Sequence, residues 1–186
     1  MVFSISNNIL WGAHQLESPN QSHRPDDSEI DMLVIHNISL PPGEYGTDCV
    51  SQLFCNKLNP DSHPAFKEIA DLRVSAHLLI SRNGRVVQYV PFNKKAWHAG
   101  ESIFCGKSNC NEFSIGIELE GTDFEIFTDD QYETLIDITQ LLLNDFPCLS
   151  LDRIVGHSDI APGRKTDPGP FFDWARYRAA IHEAGH

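Results

Sequence analysis

A mixed α/β domain, with one central mixed β-sheet flanked by helices, is the fold this sequence predicts. Three observations carry that expectation. Short aliphatic runs of strand length recur between positions 32 and 155, two stretches (129–145 and 171–183) carry apolar residues at helical spacing, and loops rich in Pro and Gly separate them. At 186 residues, 41% hydrophobic and 22% charged, the chain has the size and balance of one globular domain, so residues 1–186 are expected to form a single unit. Burial at this length covers roughly two-thirds of the surface of the unfolded chain, so the fold needs neither disulfides nor a structural metal.

In chain order, Met32-Leu33-Val34-Ile35-His36 is a continuous apolar strand ending on a histidine. The segment 37–48, with Pro41-Pro42-Gly43 and Gly46, is a loop, and 47–57 is a weaker helix. Strands over 74–80 and 85–90 are joined by a turn at Arg82-Asn83-Gly84 and form a hairpin. A fourth strand, 114–120, alternates, placing Ile115, Ile117 and Leu119 on one face and Gly116, Glu118 and Glu120 on the other. The helix 129–145 has an apolar stripe (Tyr132, Leu135, Ile136, Ile138, Leu142, Leu143) behind Asp129-Asp130, and Pro147 stops it. A short strand, 153–155, ends at Gly156-His157, a loop fills 158–170, and Phe172, Ala175, Tyr177, Ala180 and Ile181 mark the last helix.

Composition excludes several classes of function. A net charge of -12 opposes general affinity for nucleic acid, whose phosphates draw on clustered Lys and Arg. No run approaches the roughly 20 apolar residues needed to span a bilayer, so no membrane association is expected. The N-terminal MVFSISNNILWGAHQ lacks the cationic start and apolar stretch of a signal peptide. Five cysteines (Cys49, Cys55, Cys105, Cys110, Cys148) form an odd set without C-x-x-C spacing. A reducing cytoplasm is the expected compartment.

Of nine histidines, His14, His23, His63, His182 and His186 lie in polar or terminal surroundings and read as solvated. His36 and His157 each close an aliphatic strand and precede a polar loop, a position open to a metal ligand or to a hydrogen-bonded structural histidine. Asp167, held toward extended backbone by Pro168, projects to the same side as Lys165, which would give a carboxylate and a cation one cavity. Two imidazoles and a carboxylate leave a tetrahedral zinc one open position for water; the alternative is that Asp167 only forms a turn. Glu118 is placed either to move a proton or to face water, and Gly116 clears space beside it. Lys165 is a candidate to stabilise an oxyanion, or an ordinary surface lysine. His77, among apolar neighbours, reads as a core histidine; Trp97-His98-Ala99-Gly100 can line a pocket; Cys110 reads as a small buried residue.

These segments resemble the amidase-2 family, which is similar to the peptidoglycan recognition proteins, and within it the AmpD-type 1,6-anhydro-N-acetylmuramoyl-L-alanine amidases of peptidoglycan recycling. The motifs that carry the resemblance are 33–46 (LVIHNISLPPGEYG), 73–80 (RVSAHLLI), 87–100 (VQYVPFNKKAWHAG), 111–123 (NEFSIGIELEGTD) and 156–176 (GHSDIAPGRKTDPGPFFDWAR), in the family's order. The resemblance implies that His36, His157 and Asp167 bind zinc, that Glu118 transfers the proton, and that Lys165 polarises the carbonyl. It further implies that Asn37, Arg73, Trp97 and His98 contact substrate. A carboxylate as third ligand matches the recycling branch, since peptidoglycan recognition proteins and phage amidases often have cysteine there. Near Cys110 the pattern departs: the family has an arginine before this cysteine that reaches a peptide carboxylate, this chain has Asn109, and Lys107 is the nearest cation.

The implied activity is zinc-dependent hydrolysis of the amide between (1,6-anhydro-)N-acetylmuramic acid and L-alanine, acting on a soluble anhydromuropeptide as a cytoplasmic monomer. In hosts with the appropriate circuit its loss would induce a β-lactamase. Two other readings stand beside it: a non-catalytic muropeptide-binding module, and a secreted or phage-type amidase that degrades the polymeric wall.

Overall fold

The computed structural model describes residues 2–183; His186 lies outside the described residues. Its core is a six-stranded sheet made of β1 (His14–Gln15), β2 (Met32–Ile38), β3 (Leu78–Ile80), β4 (Val86–Gln88), β5 (Ser114–Glu120) and β6 (Ile154–Gly156), in the order β6-β2-β5-β3-β4-β1. Every neighbouring pair is parallel except the β3–β4 hairpin, where Leu78 faces Gln88 and Ile80 faces Val86. The sheet is therefore mixed, as the sequence predicts. The turn between the hairpin strands forms at the expected place: Gly84 takes a φ of +73°, and its N–H donates to Ser81 O.

Helices cover both faces. Leu33, Ile35, Ile115, Ile117 and Leu119 form one core with Leu135, Ile138 and Leu142 of α2 (Asp129–Asp145) and with Tyr177 and Ile181 of α4 (Trp174–Glu183). On the other face, Leu79, Tyr89 and Ala96 pack with Val50, Leu53 and Phe54 of the short α1 (Cys49–Phe54). Beside them Met32, Val34 and Val155 meet Ala99, Cys110, Phe113 and Ile160, the last from α3 (His157–Ile160). The helix α2 has the bounds its periodicity indicates, because Thr128 and Gln131 complete a capping box at its start.

Several boundaries differ from the sequence expectation. The strand β2 does not end at His36: Asn37 and Ile38 continue its ladder, opposite Leu119 and Glu120. The expected strand over 74–80 is regular only at Leu78–Ile80, because Ser75 N–H turns instead to Trp97 O. The last helix starts at Trp174 rather than 171; the Asp173 side chain accepts from Arg176 N–H, an N-cap, while Phe172 is buried in the core. The edge strand β1 and the ribbons Ser4–Ser6 with Ile9–Trp11, Gln21–His23 with Lys94–Ala96, and Ile103–Phe104 with Lys107–Ser108 are too short to show a period. Among the polar histidines, His14 and His23 are exposed, and His63 accepts from Ala65 N–H to cap a short 3-10 turn.

Candidate metal centre

The parallel strands β2, β5 and β6 end on one edge of the sheet, and their register builds the site. His36 on β2 stands directly beside Glu118 on β5, and Ile35 beside Gly156 on β6, so His157 follows one step later as the first residue of α3. Asp167 arrives from the loop after α3, where its carbonyl accepts from Ser158 N–H. Gly156 permits that approach: a Cβ there would stand 2.8 Å from Pro168 Cδ. The side chains then converge, with His36 Nδ1, His157 Nδ1 and Asp167 Oδ2 lying 2.9–3.0 Å from one another.

His157 Nε2 lies 3.0 Å from Ala99 O, and a carbonyl can only accept, so in the neutral ring the proton sits on Nε2 and Nδ1 is a bare lone pair. Burial lowers the pKa of His36 to about 4, so that ring is neutral near pH 7 and carries one proton. At most one proton is left for three mutual contacts between acceptors, an arrangement that a cation relieves. The donor set fits a four-coordinate ion with one open position, and ligand atoms about 2.0–2.1 Å from such an ion lie roughly 3.3 Å apart, close to the separations here.

Glu118 supplies the second anomaly. It is 8% exposed, and its Oε2 is buried without a hydrogen-bond partner among the described residues. Burial raises its pKa well above the usual carboxylate value, and the nearby charge of Asp167 adds to that. Glu120, two residues on, is instead satisfied by Gly46 N–H and Arg82 N–H and ties the 37–48 loop to the hairpin. The two carboxylates on this strand face thus separate into one structural and one unspent.

A cleft of about 260 Å³ joins Glu118, the three converging residues, Asn37, Trp97, His98 and Lys165, with an apolar wall that includes Leu40, Leu53, Phe54 and Leu72. Lys165 is exposed at its lip. Asn37 donates to Asp123 Oδ1 at 2.7 Å, and Trp97 Nε1 donates to Ser22 Oγ. Both ring nitrogens of His98 face protein groups, His36 Nε2 at 2.9 Å and Ser114 Oγ at 3.1 Å. The space beside Glu118 that Gly116 clears is filled by this ring, since a Cβ at 116 would stand 2.4 Å from His98 Cγ. Arg73 is outside the lining; it is exposed and donates to the Asp71 and Leu72 carbonyls. His77 is buried, accepting from Gly116 N–H through Nδ1. Lys107 Nζ lies 4.0 Å over the Phe113 ring, and Asn109 occupies the left-handed region at φ +60°, which asparagine tolerates better than most residues.

Some contributors escaped the sequence reading. The Ala99 carbonyl is backbone and leaves no trace in composition. Asn111 Oδ1 accepts from both His98 N–H and Ala99 N–H and so holds that segment in place; within the 111–123 motif nothing distinguishes it.

The model of the N-acetylmuramoyl-L-alanine amidase family (amidase-2) matches residues 26–170. The 1,6-anhydro-N-acetylmuramyl-L-alanine amidase AmpD of Escherichia coli K12 is 55% identical over 172 residues, 92% of this chain and 93% of that protein. A crystal structure of a selenomethionine AmpD derivative superposes with a TM-score of 0.93 at 51% identity, covering 97% of this chain and 99% of the other. The E. coli amidase AmiD, solved with anhydro-N-acetylmuramic acid-L-Ala-D-γ-Glu-L-Lys, gives a TM-score of 0.61 at 26% identity over 96% of this chain and 65% of its own.

Proposed function

The chain belongs to the amidase-2 family of N-acetylmuramoyl-L-alanine amidases, and on that premise we propose that it is a zinc-dependent 1,6-anhydro-N-acetylmuramoyl-L-alanine amidase of cytoplasmic peptidoglycan recycling. The observation that carries this reading is the convergence of three acceptor atoms beside a buried carboxylate oxygen that has no partner among the described residues, in one cleft. Relatives above 50% identity that are named for the anhydro substrate support the choice of bond. Unpaired cysteines agree with a reducing compartment, and among the described residues no helix is long and apolar enough to cross a membrane. The substrate is a soluble anhydromuropeptide, and one domain acts as a monomer.

His36, His157 and Asp167 would hold the zinc, which when bound would supply a Lewis acid and make a nearby water more acidic. Glu118, whose carboxylate is made more basic by burial and by the nearby charge of Asp167, accepts in its ionised form the proton of the attacking water and returns it to the L-alanine nitrogen. The water oxygen bonds to the lactyl carbonyl carbon, the C–N bond breaks, and the products are a muramoyl carboxylate and a peptide with a free amine. Lys165 at the cleft lip places a cation beside the developing oxyanion. Asn37 and Trp97 border the path of the sugar and the stem peptide.

Mass spectrometry of an anhydromuropeptide incubated with the protein tests the assignment. Free stem peptide and anhydro-N-acetylmuramic acid are expected, with intact sacculi hydrolysed far more slowly. An unchanged fragment would leave only a binding module, and preferential release from sacculi would make the protein a wall-degrading amidase.

A further inference from the structure

We propose that Ser114 and His98 are positioning residues that set the tautomer of His36, so that its Nδ1 is presented to the metal as a lone pair; the inference rests on the zinc reading above. The chain of hydrogen bonds starts at a group with no choice. Ser114, the first residue of β5, donates its hydroxyl proton to Cys110 O at 2.6 Å, and a carbonyl can only accept. With that proton committed, Ser114 Oγ can only accept from His98 Nε2, 3.1 Å away, so the proton of the His98 ring is on Nε2. His98 Nδ1 is then bare, and it faces His36 Nε2 at 2.9 Å. His36 must therefore carry its proton on Nε2, and Nδ1 is left bare toward Asp167 and His157.

The two histidine ligands thus reach one state by different routes. His157 is set in a single step by the Ala99 carbonyl, and His36 through three links that end on the carbonyl of Cys110. The relay is built rather than incidental. Gly116 leaves room for the His98 ring, and Asn111 holds its backbone through two N–H donors. His77, whose ring centroid is 5.8 Å from that of His98, does not compete, because its Nδ1 is occupied by Gly116 N–H and its Nε2 faces Lys94 O. If Ser114 could not accept, His98 would be free to carry its proton on Nδ1. That would press the His36 proton onto the atom that should bind metal.

Zinc affinity measured by chelator competition on the full chain is the first test, with inorganic zinc as the probe. Partners that orient a metal ligand are worth about 10–100-fold in affinity, so Ser114→Ala is expected to weaken zinc by that order. Ser114→Thr, which restores the hydroxyl, should return it close to the parent; a merely structural role for the serine would not show that rescue. Long-range 1H–15N imidazole spectra of the metal-free parent give a second reading that needs no variant to fold, with protons expected on Nε2 of both His98 and His36. Ser114→Ala affinity within twofold of the parent, or a His98 proton on Nδ1, would overturn the relay. A parent that bound no zinc would contradict the proposed function instead, and the same spectrum would still decide the relay.

Discussion

Glu118 is the residue on which chemistry and stability pull against each other: burying a carboxylate oxygen that has no partner among the described residues costs stability, and the raised basicity that results is what proton transfer uses. Replacing it with an isosteric amide separates the two roles. Glu118→Gln is expected to keep its zinc, measured by metal analysis, and to lose roughly 10²–10⁴-fold in kcat. His77 offers a test of the buried polar core with a definite sign. Its pKa falls from 6.5 to about 3, chiefly through burial and then the charge of Arg24. The unfolded chain therefore takes up a proton that the native state refuses. The stability His77 confers is complete above pH 6.5 and is lost as the pH falls toward about 3. Unfolding free energies from urea titrations between about pH 7 and pH 4 should fall less steeply for His77→Gln, by up to about 1.4 kcal/mol per pH unit.

At the scale of elements, legibility follows how local the determinants are. The helix α2 is readable because its acidic start, stripe and stop all lie within its own neighbourhood, from Asp129 to Pro147; the Thr128 cap beside them shows only in the structure. Removing that cap with Thr128→Ala should cost about 1 kcal/mol by chemical denaturation, with kcat/KM unchanged because the cap lies outside the cleft. The strand β5 is readable from its alternation, yet its neighbours β2 and β3 are not, because that pairing is long-range, and neither is the His98 ring that packs over Gly116 on its polar face. The two-residue edge strand β1 shows no period at all. The site divides in the same way. His36 and His157 were conspicuous at the ends of aliphatic runs, whereas Asp167 rested on the resemblance and on Pro168, and only the fold reveals that Gly156 lets its loop approach. The sequence offers His98 as a pocket wall and, through the resemblance, as a substrate contact; its contacts with His36 and Ser114 appear only when strand and loop are brought together.

For the molecule as a whole, the cores on the two faces share one sheet, so the proposed single domain should unfold in one cooperative calorimetric transition. Zinc that binds only the native state should raise that stability by about 2.7 kcal/mol at a free concentration 100 times its Kd. Two separate transitions, or a melting temperature indifferent to zinc, would count against the domain and the metal respectively. The central claim is that this edge of the sheet is a zinc centre for amide hydrolysis. It is tested most directly by stripping the protein with a chelator and titrating zinc back while following release of stem peptide from an anhydromuropeptide. Activity should vanish on stripping and return in proportion to occupancy, reaching its plateau at one zinc per chain; full turnover by the metal-free protein would contradict the account.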